Sequence, residues 1–208
     1  MNQSKKLTLF STQIFKTKCL SKRSKLFTEL ADATERLYAG DIEGAKWSSE
    51  HYKNGYTSYG SYDQIHLMTE PFLLLKNKID QHVKNYIKML GLDISLDNLF
   101  MSRFWVNVMP KGSYHAWHTH PLSVISGTFY LQLPKGASPI RFEDPRFMFF
   151  MTRPSLLNKT PKEQQNFYSL NPQEGDLVLF ESWIKHEVPM ATQTDPRISL
   201  SFNYDLKR

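Results

Sequence analysis

The sequence predicts an α+β fold: helices within the first 98 residues, then an antiparallel β-sandwich or barrel with those helices packed on one of its sheets. Three observations predict it. Helical periodicity is confined to the N-terminal part. From about Leu99 the apolar residues alternate or form short runs, and turn-forming Pro-Lys-Gly and Pro-x-x-Gly segments cut this second part into short pieces. Aromatic residues make up 13% of the chain, with 14 Phe and 10 Tyr, a surplus that flat, half-buried sheet surfaces accommodate.

The helices come first. Leu26, Leu30, Leu37 and Tyr38 follow helical spacing, and Gly40 can end that helix. A second helix carries Ile79, Val83, Tyr86, Ile87 and Leu90 on one face, with Thr69 as N-cap, Pro71 in the first turn and Gly91 at the C-cap. Between them, Trp47 to Tyr62 is rich in Tyr, Ser and Gly and reads as an extended loop or short strands able to cover a cleft. Strands are expected over Phe100–Met109, Tyr114–His120, Ser126–Leu133, Ile140–Phe142, Asp176–Phe180 and Arg197–Tyr204, with turns at Pro110–Gly112, Pro134–Gly136 and Pro172–Gly175. No repeat, low-complexity tract or linker interrupts the 208 residues, so one domain is expected: a helical and loop part over about 1–98 and a β core over about 99–208.

Cys19 is the only cysteine, which excludes an internal disulfide and a cysteine-based zinc site. Any metal must be held by His, Asp or Glu. The opening MNQSKKLTLF has no apolar stretch suited to a signal peptide, and no window suits a transmembrane helix. A soluble cytoplasmic protein is the expectation. The net charge of +6 permits an anionic partner. The densest basic cluster, Ser21-Lys22-Arg23-Ser24-Lys25, reads first as a solvated helix entry, with a nucleic-acid patch as the lesser alternative.

Three features carry chemistry. In His115-Ala-Trp-His118-Thr-His120-Pro121, His118 and His120 are two apart and share a face on a strand, as a chelating pair would. His186 follows a compact apolar strand that could aim it at that pair, and three imidazoles with open positions suit a redox or Lewis-acid metal. Arg197 and Ser199 share a face on the last strand, where a guanidinium beside a hydroxyl is well made to hold a carboxylate. Each feature alone has a plainer explanation, as a surface or core residue. Their order and spacing give them weight.

In that order the chain resembles the prolyl-hydroxylase-like branch of the 2-oxoglutarate/iron(II) oxygenases, and more closely an oxygenase family of bacteria and phages. The resemblance is carried by His118-Thr-His120-Pro121, Ser126-Gly127-Thr128-Phe129-Tyr130-Leu131, Phe142-Glu143-Asp144-Pro145-Arg146, Glu174-Gly175-Asp176-Leu177-Val178-Leu179-Phe180, His186 and Arg197-Ile198-Ser199-Leu200-Ser201-Phe202-Asn203, with Leu9-Phe10-Ser11-Thr12 at the start. It implies a double-stranded β-helix (jelly-roll, cupin-like) core. It also implies iron(II) on His118, His120 and His186, and 2-oxoglutarate held by Arg197 with Ser199 and Tyr130. The same resemblance implies dioxygen as the oxidant and hydroxylation of an unidentified substrate with release of succinate and carbon dioxide.

His120 stands where the superfamily usually has an acidic ligand. Either His120 itself or a nearby carboxylate such as Asp144 completes the set. Asn107 and Arg146 are candidate substrate contacts, and the loops Trp47–Tyr62 and Phe147–Phe167 are candidate lids. Substrate identity stays open among an anionic small molecule, a peptide and a nucleobase, and exposed aromatics leave a homodimer open. Two other readings stand beside this one. One is a three-His cupin-type dioxygenase that needs no keto acid, favoured by His120. The other is a non-catalytic β-sandwich with a binding groove of Trp105, Trp117 and Trp183.

Overall fold

Two amphipathic helices set the first layer. The computed structural model describes residues 4–207; the first three residues of the opening segment, on which part of the signal-peptide reading rests, lie outside them. Helix α1 (Lys25–Gly40) buries Phe27, Leu30, Ala33, Thr34 and Leu37, and the Ser24 hydroxyl caps it by accepting the Phe27 N–H. The basic cluster is thus the entry of a helix. Helix α3 (Glu70–Leu90) buries Phe72, Leu75, Ile79, Val83, Tyr86 and Ile87 and ends at Gly91, whose φ of 68° is left-handed. Thr69 occupies the N-cap position, but its hydroxyl makes no capping bond. Among the described residues no helix is long and apolar enough to cross a membrane.

Behind the helices lie two antiparallel sheets. The first has the order β1 (Phe15–Lys18), β8 (Asp176–Glu181), β5 (Ile125–Gln132), β10 (Arg197–Leu206), β3 (Leu99–Met109) and β2 (Tyr56–Thr57). The second has the order β4 (His115–His118), β9 (His186–Val188), β6 (Ile140–Glu143) and β7 (Phe167–Leu170). Strand alternation divides the core in two. Phe129, Leu131, Leu177, Leu179, Leu200, Phe202 and Tyr204 join the helices in the larger cluster, whereas Tyr130, Val178 and Phe180 meet Ile140, Phe142 and Ile184 in a smaller one. The fold is therefore α+β, a jelly-roll core backed by N-terminal helices, as the sequence predicts.

Four elements differ from expectation. Trp47–Tyr62 is not wholly extended: its first residues belong to helix α2 (Ile42–His51). That helix buries only Gly44 and Ser48, so it leaves little apolar periodicity. It is anchored by buried Asp41, whose carboxylate accepts from the Gly44 N–H, the Tyr56 hydroxyl and the Ser61 hydroxyl. Strand β1 is polar and short, and β7 lies at the end of the expected Phe147–Phe167 loop. His186 opens a strand of its own, β9, paired with β4 and β6.

Gly175 joins three strands. Its carbonyl accepts from the Cys19 and Leu20 N–H groups after β1, and its own N–H donates to Tyr130 on β5. Its φ is +83°, and a Cβ there would lie 2.1 Å from the Leu20 carbonyl oxygen, so only glycine fits.

One residue along, buried Asp176 pairs with Lys16 (3.2 Å) and Lys18 (2.6 Å) and accepts from the Gln173 N–H (2.8 Å). Burial alone would raise its pKa; Lys18, the Gln173 amide and Lys16 outweigh it and hold the carboxyl below its usual value. A depressed carboxylate stabilises the fold above its unfolded pKa of about 3.9, and that contribution fades as pH falls through the folded value. Asp176→Asn is expected to cost about 1–3 kcal/mol at pH 7. Urea denaturation at pH 7 and pH 3 should show the gap between variant and wild type shrinking in acid; an equal gap at both would locate the loss outside the ionised pair.

Candidate active site

The inner face of the first sheet and the second sheet enclose a cavity. About 460 Å3 of empty space, its open mouth included, is lined by residues that include Trp105, Asn107, His115, His118, His120, Thr128, His186, Arg197, Ser199 and Ser201. Strand β10 supplies one wall because Arg197, Ser199, Ser201 and Asn203 alternate onto the same face.

His118 ends β4 and is paired with His186 on β9; His120 follows the strand, held by its N–H donating to the Ser182 carbonyl (2.9 Å). The three rings converge. Candidate ligand atoms of His118, His120 and His186 all lie within 4.8 Å of one another, and the Nε2 atoms of His120 and His186 are 3.3 Å apart. The Nδ1 atoms of His118 and His186 face the carbonyls of Ala116 (2.7 Å) and Ile184 (2.9 Å). A ring N–H satisfied there leaves the Nε2 lone pair free.

Burial lowers the pKa of all three rings. His120 falls to about 4 through burial and then His118, with Asn203 opposing, and His186 falls well below the usual histidine value. All three are neutral at pH 7, the form that binds a metal. Nitrogen donors of this kind suit iron, zinc, copper or nickel.

Arg197 stands elsewhere in the same cavity. It is 2% exposed, and among the described residues no carboxylate pairs with it. Its Nη1 donates to the Ser199 hydroxyl (3.0 Å) and lies 3.4 Å from the Met109 sulfur, while its Nε has no partner. The guanidinium carbon lies 5.1 Å from the centre of the Tyr130 ring. The Tyr130 hydroxyl is also buried without a partner, and burial pushes its pKa up to about 12 against the pull of Arg197. A buried cation with orphaned donors around it fits a ligand carboxylate.

Asn107 lines the cavity; its amide donates to Ser201 and its carbonyl oxygen is unsatisfied. Arg146 is not brought there. It grips Asp144 through Nε (3.0 Å) and Nη2 (2.8 Å) on the exposed surface. That pairing occupies Asp144, which lies outside the metal-ligand cluster, so the carboxylate alternative to His120 is not supported. No residue of Phe147–Phe167 lines the cavity. Nor do Trp117 and Trp183, so the three tryptophans do not form one groove around it.

His115 is an addition, and Trp105, expected only as part of a tryptophan groove, lines the cavity too. His115 stands three residues from His118, which in a regular strand puts it on the opposite face. A bulge in the β4–β9 pairing brings both rings to the cavity. Its ring stacks on Tyr52 at 4.4 Å, and burial, then His118 and Arg197, lower its pKa to about 3. Trp105 lies 6.2 Å from the His120 ring, centre to centre. The histidine spacing offered a signal for His115; period-two counting alone misplaces it.

Fold and cavity together define a double-stranded β-helix protein with a candidate metal centre and a buried arginine that no carboxylate pairs with among the described residues. Residues 103–203 match the family described as "Putative 2OG-Fe(II) oxygenase". That family's description names iron(II) and 2-oxoglutarate.

Several solved structures share the fold. A Pseudomonas putida prolyl-4-hydroxylase is 18% identical with a TM-score of 0.62, covering 95% of this chain and 94% of that one. The α-ketoglutarate-dependent epimerase SnoN from nogalamycin biosynthesis is 15% identical with a TM-score of 0.67, covering 94% and 77%. The viral collagen prolyl hydroxylase of Paramecium Bursaria Chlorella virus-1 is 13% identical with a TM-score of 0.57, covering 92% and 94%. At these identities the likeness establishes the fold alone. No curated protein matches the sequence.

An uncompensated buried guanidinium costs stability when no anion is bound. Arg197→Met is therefore expected to leave the thermal midpoint of the ligand-free protein unchanged or higher. A fall of several degrees would mean that the guanidinium serves the fold itself.

Proposed function

We propose that this chain is an iron(II)- and 2-oxoglutarate-dependent oxygenase that hydroxylates a small-molecule or peptide substrate. The observation that carries the reading is the sharing of one cavity by a three-imidazole cluster and a buried, unpaired arginine. His118, His120 and His186 would hold the metal. Arg197, seconded by Ser199 and the orphaned Tyr130 hydroxyl, would receive the distal carboxylate of the keto acid. Bound there, iron and 2-oxoglutarate supply the family's oxidising chemistry, with dioxygen as oxidant and succinate and carbon dioxide as products. The protein's part is orientation, a carboxylate clamp and exclusion of water: Phe180 and Phe142 pack around His186, and Trp105 lies beside His120. The positive balance of the chain favours an anionic substrate.

A second reading rests on His120 alone. A three-His centre needs no carboxylate ligand and is compatible with a dioxygenase that uses no keto acid. An anaerobic titration of the iron(II)-loaded protein with 2-oxoglutarate separates the two. A saturable visible charge-transfer band is the expected result; iron binding without a band would favour the second reading, and absence of iron binding would remove both.

His186→Ala is expected to abolish iron binding, measured by equilibrium dialysis. Arg197→Ala should weaken 2-oxoglutarate by about 2–5 kcal/mol in the same titration. Unchanged co-substrate affinity would move the clamp elsewhere.

A further inference from the structure

The chain between β6 and β7 lines no part of the cavity, and its composition is one-sided. From Pro145 to Lys162 it holds four basic residues, Arg146, Arg153, Lys159 and Lys162, and no acidic one. The same stretch shows Phe147, Met148, Phe149, Met151 and Leu157 to solvent; Met148 is 76% exposed, Phe149 75% and Met151 91%. Single exposed apolar side chains are ordinary, but so many in one short segment mark a place where something docks.

The display is built into the fold. Arg146 is clamped on Asp144 through Nε and Nη2. The N–H groups of Phe147, Phe149, Phe150 and Arg153 each donate to the carbonyl three residues earlier. The Phe147 ring lies 5.0 Å from Phe167 on β7, which lies 5.5 Å from Trp117 on β4, and the Arg153 guanidinium sits 4.2 Å from the centre of the Phe150 ring. The base of the segment is thus fixed to the second sheet, while Met148, Phe149 and Met151 are held out into water.

Asp144 balances Arg146, but among the described residues Arg153, Lys159 and Lys162 pair with no carboxylate. Uncompensated cations beside projecting apolar side chains match an anionic lipid surface. The cations meet the headgroups, and the apolar tips enter the boundary beneath them. Other occupants fit less well. Nucleic acid would satisfy the cations, but Met148, Met151 and Leu157 have no ring on which a base can stack. A second copy joined across a two-fold axis would set cations against cations. We infer that the β6–β7 segment is a peripheral docking site for anionic lipid, with Met148, Phe149 and Met151 inserted and Arg153, Lys159 and Lys162 on the headgroups. Attachment by a few side chains is reversible.

Co-sedimentation of the full chain with vesicles tests this. It uses neither metal nor keto acid, so its failure leaves the oxygenase reading standing. Vesicles of phosphatidylcholine alone are compared with vesicles of phosphatidylcholine and phosphatidylserine in equal parts. The protein should bind the mixed vesicles in preference to the neutral ones, and binding should weaken as salt screens the cations. Phe149→Ser combined with Met151→Ser should weaken it by about tenfold or more, the scale for one large apolar side chain left unburied. Lys159→Gln combined with Lys162→Gln should also weaken it by about tenfold or more. All four side chains are exposed, so both variants should keep the wild-type thermal midpoint. The proposal is overturned if the wild type stays in solution with the mixed vesicles at low salt, if it binds neutral vesicles equally, or if the serine variant binds as the wild type does. A wild-type dimer in sedimentation velocity that the serine variant abolishes would also overturn it, by assigning the segment to a second copy.

Discussion

Strand β10 has two jobs that its alternation keeps apart. It is bonded along nearly its whole length to β3 on one side and β5 on the other, so its register is fixed from both edges. One face, Leu200, Phe202 and Tyr204, enters the core beneath the helices. The other, Arg197, Ser199, Ser201 and Asn203, faces the second sheet. A slip by one residue would send an arginine and an asparagine into hydrocarbon and three large apolar side chains into the cavity. The stability of the helix-backed core and the placement of the polar cavity wall are thus one constraint. Irregularities near Ile198 and Asn203 adjust the pairing at both ends of the polar row without breaking its alternation.

The charge distribution in the cavity follows from burial. Four histidines stand around it, all pushed toward neutrality, with the Arg197 guanidinium among them. On the proposed reading, three neutral ligands would leave the charge of a divalent ion to be met by the single keto-acid carboxylate that reaches the metal, because the other would pair with Arg197. An acidic ligand would already cancel part of that charge. A histidine ligand set therefore places more of the burden of charge balance on the co-substrate, and would make metal and keto acid bind more interdependently.

Much of this was legible in the sequence because the relevant signals are periodic. Period-two spacing located Arg197 and Ser199, and it paired His118 with His120 although the strand stops at His118 and the Ser182 carbonyl holds His120 past its end; apolar runs located the central strands. Helix α3 announced itself by a full apolar face and Gly91. What was hidden depends on contacts between distant segments. Helix α2 is held by the Asp41 carboxylate gathering groups from Tyr56 and Ser61, which leaves no amphipathic stripe to read. His115 reaches the cavity through a bulge, which defeats face counting. Arg146 looked like a substrate contact because a basic residue after Asp-Pro carries no sign of the neighbour it will pair with.

The larger sheet also ends in a telling way. At one side lies β1, four residues long, with Lys16 and Lys18 drawn back onto Asp176. At the other lies β2, only two residues long. A foreign strand seeking free backbone groups would meet ammonium groups at the first margin and almost no length at the second. Both margins of the larger sheet are therefore poor templates for pairing with a further strand, and the lysines that steady a buried aspartate contribute to this.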